Sequence, residues 1–218
     1  MKNILKFFIL LILSGSLVGL SLSCKKTTPS ETPTPSASES QAPQEDNLTN
    51  LDPTSVQEQI TANYNTAKQK AISWQPNAVL YSASAKITSS LDFEDVIEVY
   101  TFGSGAEPSY WWTISISVRS KNYVRAIIPK EDYLGANLVP VRTQYWKINY
   151  VQAFQTAETN GGKEWREREK DGKYQITATL AHGEPKGYLY WLVEYQLLDG
   201  SDKKTIQVDA NSGEVINE

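Results

Sequence analysis

A helical apolar stripe followed by alternating strand patterns occurs twice along this chain, and that order admits a mixed fold in which helices cover antiparallel sheet. Val56, Ile60, Tyr64, Ala67, Ala71 and Trp74 are spaced by three or four residues, which puts them on one face of a helix of about 20 residues. Asp52 is a candidate N-cap with Pro53 at the first helical position, Ser55 and Glu58 offer a capping box one turn later, and Pro76 stops the helix. Beyond it Val79, Tyr81, Ala83, Ala85 and Ile87 alternate as a strand, and residues 96–102 read as a second. In a third, Trp112, Ile114, Ile116 and Val118 form an inner face whose intervening residues are hydroxyls. A turn at Lys121 and Asn122 then leads into a fourth, over 123–128.

The second pass keeps the same order. Tyr64, Ala67 and Ala71 align with Tyr150, Ala153 and Ala157 at an offset of 86, and Trp112 aligns with Trp191 at an offset of 79. The loops Gly105-Ala106-Glu107-Pro108 and Gly183-Glu184-Pro185 lead into the two tryptophan strands. Ile176, Ala178 and Leu180 alternate, then Trp191, Val193, Tyr195 and Leu197, then Ile206 and Val208. The expected fold class is α+β, with two repeated units over 53–144 and 145–218, each a helix packed on an antiparallel sheet. Units of that size are marginal alone, so the two are expected to pack on each other.

The N-terminus carries an address. Lys2 and Lys6 bracket a basic region, and residues 7–22 form an apolar run of 16 residues interrupted by Ser14, Gly15, Ser16 and Gly19, a secretory signal pattern. A spanning helix needs about 20 mainly apolar residues, so a retained anchor fits less well. The sole cysteine, Cys24, ends this run, and Leu20-Ser21-Leu22-Ser23-Cys24 resembles the lipobox of bacterial lipoproteins, with Leu20 one place further out than the usual leucine. The resemblance implies cleavage after residue 23 and acylation of Cys24, and two acyl chains hold a protein at a bilayer where one does not. Loss of Lys2 and Lys6 takes the formal charge from −4 to −6. Residues 24–52, rich in Ser, Thr, Pro, Glu and Gln with Leu48 and Leu51 as their large apolar residues, are expected to be a disordered tether spanning roughly 30 Å.

A second resemblance lies at the other end. Tyr190-Trp191-Leu192-Val193-Glu194-Tyr195, followed by Val208-Asp209-Ala210-Asn211-Ser212-Gly213-Glu214-Val215, resembles the PepSY domain, in which an aromatic-led strand and its hairpin partner close on a Val-Asp-Ala, two residues, Gly-Glu-Val signature. Ala153, Ala157 and the stretch Asn160-Gly161-Gly162-Lys163-Glu164 fit the preceding helix. The first unit carries Ile128-Pro129-Lys130-Glu131-Asp132 in place of the hairpin and is a divergent copy. The resemblance implies a PepSY or cystatin-like fold, a place outside the cytoplasmic membrane, no catalytic residue, and contact with or restraint of a secreted or envelope peptidase.

The residues themselves exclude several chemistries. One Cys and one His allow no disulfide framework and no Cys/His zinc cage within a single chain, and a pI near 5.2 offers no positive field for nucleic acid. His182 reads as a lone turn histidine, and no Gly-x-Ser-x-Gly elbow is present. Asp95 and Glu98 fall on opposite faces of a strand, which separates them as an acid/base pair. Asp209 to Gly213 reads as a hairpin turn rather than a calcium loop. The run Lys163-Glu164-Trp165-Arg166-Glu167-Arg168-Glu169-Lys170 reads as a solvated helix face with Glu164 and Arg168 spaced to pair, and Arg119, Lys121 and Arg125 form a small basic patch around Tyr123. Trp111 and Tyr190 each precede the inward tryptophan of their unit and so lie on the opposite sheet face, where two aromatics could form a binding platform. The chain is therefore expected to be a non-enzymatic, lipid-anchored binder of an extracytoplasmic protein or peptide, requiring no cofactor or metal. A binder of envelope polysaccharide through Trp111 and Tyr190, or a structural spacer, are the alternatives.

Overall fold

The first apolar stripe forms α1 (Gln57–Trp74), and Pro76 follows its end as the sequence predicts. Its start lies later than Asp52. The Asp52 carboxylate accepts the Thr54 amide at 2.9 Å and so closes a turn upstream, while Val56 occupies the N-cap without a side-chain cap. In this computed structural model, which describes residues 47–132, 138–183 and 188–216, α1 is followed by four strands: β1 (Val79–Ile87), β2 (Ile97–Ser104), β3 (Glu107–Ser117) and β4 (Tyr123–Pro129).

The second helical segment begins with α2 (Tyr150–Ala157), which has the cap that α1 lacks. The Asn149 side chain accepts the Gln152 amide at 3.0 Å, and the Gln152 side chain accepts the Asn149 amide at 2.9 Å. A wide turn over Glu158–Gly162, with Gly161 at φ +96°, then redirects the chain into α3 (Lys163–Arg168). Trp165 of α3 is buried, its indole N–H donating to Asp202 at 2.9 Å, so this run is not solvated all round. Nor does Glu164 pair with Arg168: the Arg168 guanidinium reaches Glu169 and Asp202 instead. Three strands close the fold, β5 (Tyr174–Gly183), β6 (Tyr188–Leu197) and β7 (Lys203–Asp209).

All seven strands belong to one antiparallel sheet in the order β4-β3-β2-β1-β5-β6-β7. The mixed α and β class matches the expectation, but the two segments do not each form a sheet of their own. Their first strands pair instead, Ala83 with Leu180, Ala85 with Ala178 and Ile87 with Ile176, which removes an open edge from each half. Trp112 lies on the third strand of its half and Trp191 on the second of its own, so that pair of anchors does not occupy equivalent places.

Among the described residues, helices cover one face only. The inward residues of β2, β3, β5 and β6 include Phe102, Ile114, Ile176, Val193 and Tyr195, all fully or almost fully buried, and α1 lies over β2 and β3 while α2 lies over β5, β6 and β7. The folded part also starts earlier than residue 53. Leu48, assigned by composition to the tether, is 0% exposed; its amide donates to the Leu91 carbonyl at 2.8 Å, and its carbonyl accepts the Gln155 side chain at 2.9 Å. Cys24 lies outside the described residues, as do the expected signal segment, residues 1–23, and residues 25–46 of the expected tether.

Candidate functional site

Of the two aromatics expected to form a platform, Trp111 does not present a surface. It does face away from the helices, but it is 2% exposed. The reason is Gly103 on the neighbouring strand: a Cβ there would lie 2.6 Å from the Trp111 ring and 2.8 Å from Tyr81, so the indole occupies space that any other residue would fill. Tyr81 closes one side at 4.7 Å between ring centroids, and the Lys130 ammonium sits 4.2 Å from the ring. Tyr190 is half-buried on β6. Four strand spacings separate β3 from β6, about 19 Å, so one sugar cannot bridge the pair.

Under the helices lies a polar cluster that sequence reasoning passed over. Glu98 is in phase with Tyr100 and Phe102 on the core side of β2 and is 1% exposed. The Tyr100 hydroxyl donates to one carboxyl oxygen at 2.9 Å and the Tyr150 hydroxyl of α2 to the other at 3.0 Å. Buried Asn63 of α1 faces the same carboxyl, though its Nδ2 makes no hydrogen bond of good geometry among the described residues. Burial is the dominant influence and pushes the carboxyl up to about 7, against the opposing pull of Tyr100, Asn63, Tyr150 and the Lys121 charge. The same desolvation, with the adjacent carboxylate, raises both tyrosines well above their ordinary range. Asp95 is far from this arrangement in character: it is exposed and accepts from Arg119 at 2.8 Å.

A cleft of about 170 Å³ lies between α1 and the chain entering α2, lined by Gln57, Tyr64, Trp146 and Asn149 among others, and falls below the few hundred Å³ of a typical small-molecule site. Larger but more open depressions of about 380, 410 and 560 Å³ lie elsewhere on the surface, the last lined by Gln59, Asn63, Ile116 and Lys121 among others. His182 ends β5 with its Nε2 3.1 Å from the Pro140 carbonyl, and no group of three or more His, Cys, Asp or Glu converges among the described residues. The Asp209 carboxylate accepts the Asn211 and Ser212 amides at 2.8 Å each and Gly213 has φ +81°, so this segment is a turn.

The two edges of the sheet differ. Beyond β7 the chain folds back: Val215 bridges Val208, the Asp209 amide donates to Glu214 at 2.8 Å, and the Ile216 amide donates to Gln207 at 2.9 Å. No described strand lies beyond β4. This bare strand carries apolar side chains, with Val124 71%, Ile127 56% and Tyr123 42% exposed. Such an edge is a template for a further strand.

No family model matches the chain, and neither a curated protein nor a solved structure matches it.

Among the described residues no helix is long and apolar enough to cross a membrane. The open edge was not foreseen, because alternation identifies a strand without saying whether both of its sides are paired. The missing signal is a local one: 123–128 alternates less strictly than 112–118 and ends at Pro129.

Proposed function

We propose that this protein is a non-catalytic, lipid-anchored binding protein of PepSY type, held through acylated Cys24 on the outer face of the cell membrane, or at the outer membrane in a host with two. The observation that carries this reading is the asymmetry of the sheet among the described residues, which is covered by helices on one face and by its own C-terminal segment at one edge, and leaves β4 without a described neighbour and available to a protein or peptide partner. A secreted or envelope peptidase is the partner class that the PepSY resemblance implies. The two halves are read as divergent copies in which β1, β2 and β3 correspond to β5, β6 and β7, with β4 an addition to the first. The order of a helix followed by an antiparallel meander in each half supports this alignment. The polysaccharide alternative is weakened by the burial of Trp111.

Cross-linking on cells that carry the intact anchored chain, followed by mass spectrometry of the captured proteins and of the N-terminal peptide, tests the reading. Reproducible capture of an extracytoplasmic protein together with a lipid-modified Cys24 is expected. Glycan capture without protein, or an unmodified Cys24 in a soluble chain, overturns the corresponding part.

A further inference from the structure

We propose that β4 binds an extended partner segment as an eighth strand, and that the preferred segment alternates carboxylates with aliphatic residues. This rests on the binding reading above and names its site and ligand class.

Main-chain geometry makes the edge available. The Ser117 amide donates to the Asn122 carbonyl at 3.1 Å, and register pairs Ser115 with Val124, Thr113 with Ala126 and Trp111 with Ile128. Hydrogen-bonded pairs alternate in an antiparallel ladder, so Val124, Ala126 and Ile128 turn their backbone groups toward β3. The backbone groups of Tyr123, Arg125 and Ile127 then point away from the sheet, in register for a newcomer. Every residue from Tyr123 to Ala126, and Ile127 with them, is exposed.

Side chains divide the edge into two unlike sides. Tyr123, Arg125 and Ile127 pair with Ile116, Ile114 and Trp112 and therefore share the helix-covered side. There the Lys70 ammonium of α1 stands 4.9 Å from the Tyr123 ring, and the Arg125 guanidinium 5.6 Å from the Trp112 ring. The opposite side presents Val124, Ala126 and Ile128, with the Lys130 ammonium past their end against the Trp111 ring. Along Tyr123 to Ile128 a paired strand would thus meet cations with one set of alternate residues and aliphatic groups with the other, and Lys130 only at the end of the aliphatic side.

The charge of this edge opposes that of the whole. The formal charge of the chain is −4, yet residues 59–91 and 108–130 contain no Asp or Glu. Lys70, Lys121, Arg125 and Lys130 lie on or beside β4 and form no salt bridge among the described residues, whereas Arg119 is spoken for by Asp92 and Asp95. Glu131 and Asp132 come only beyond the end of the strand. A second copy of the chain would bring the same cations to the same line, so an acidic segment complements the edge better.

Titration calorimetry of the full-length protein with acetyl-(Glu-Val)4-amide tests the proposal, with the Lys-Val counterpart and a Glu-Val peptide N-methylated at alternate amides as controls. Binding of the first alone is expected, with new hydrogen-exchange protection at Tyr123, Arg125 and Ile127. Ile127→Pro removes only an outward-pointing N–H and should abolish binding, while circular dichroism reports that the fold survives. Arg125→Glu should weaken the acidic peptide by about tenfold and improve the Lys-Val peptide. Equal affinity for both peptides, unchanged binding by Ile127→Pro, protection of β4 through self-association, or binding only to vesicles of anionic phospholipid would each overturn it. Intact cellular capture of a protein by the Ile127→Pro variant would refute the edge while leaving the broader reading standing.

Discussion

Replacing Glu98 with Gln should make the stability of this protein much less sensitive to pH. The wild-type carboxyl has an ordinary pKa of 4.5 and is pushed up to about 7 in the fold, chiefly by burial. The folded chain therefore holds a proton that the unfolded chain has lost. Stability from this group is whole below the unfolded value and is lost as pH rises through the folded one. A displacement of this size corresponds to about 3 kcal/mol at about 1.4 kcal/mol per unit, most of it lost between about pH 4.5 and about pH 7. Gln has no proton to lose and still offers an oxygen to the Tyr100 and Tyr150 hydroxyls. Urea unfolding of both proteins at matched pH isolates the effect, since all other carboxyls are shared. The variant should gain about 3 kcal/mol relative to wild type between about pH 4.5 and about pH 8. A difference that stays constant over that range, or an NMR titration midpoint for Glu98 near 4.5, would refute the reasoning.

Trp111→Ala should cost about 3 to 5 kcal/mol in urea unfolding, because the indole is a packed side chain rather than an exposed platform; a loss below about 1 kcal/mol would contradict that. Gly103→Ala should destabilise by about 2 kcal/mol by pressing a methyl into the Trp111 and Tyr81 rings, measured the same way. Leu48→Ala should cost about 2 to 5 kcal/mol despite its place in a segment of tether-like composition, and protection of the Leu48 amide from hydrogen exchange should fall with it. Arg166→Met strands the buried Glu158 carboxylate and should cost about 3 kcal/mol by urea denaturation, with much of it recovered when Glu158→Leu is added.

What could be read in the sequence was whatever is encoded by local period. The helix from Val56 to Trp74 and the strands around Tyr81, Val99, Ile114, Ile176, Val193 and Ile206 repeat their apolar residues every three to four or every two positions, and each forms in place. Period does not say which strands meet. The pairing of Ala85 with Ala178 joins segments more than 90 residues apart through small residues with no distinctive signal. Nor does parity measure exposure: it put Trp111 on the face away from the helices, but burial was decided by the empty space above Gly103 on another strand. Leu48 was lost among Ser, Thr and Pro because a single anchoring leucine makes no pattern. Glu98 was legible, since it keeps phase with Tyr100 and Phe102, yet pairing it only with Asp95 as a catalytic couple hid its place in the core.

Each half of the sheet buries one carboxylate beneath its helices, and the two are supported differently. Glu158, just past α2, accepts from the Tyr195 hydroxyl at 2.8 Å and from the Arg166 guanidinium. Burial opposes the charge on Arg166, but its hydrogen bonds to Glu158 and the carboxylate's charge outweigh that cost, leaving its pKa raised. Glu98 accepts from two tyrosine hydroxyls and has no guanidinium at hydrogen-bond distance. Removing a partner should therefore affect the two halves differently. Loss of Arg166 leaves the buried Glu158 carboxylate without its guanidinium partner. Loss of the Tyr150 hydroxyl withdraws a donor that favours ionised Glu98, so Tyr150→Phe should raise the Glu98 midpoint further. The helix-to-sheet contact that α2 makes through Tyr150 is then tied to the protonation of β2, two strands from the open edge.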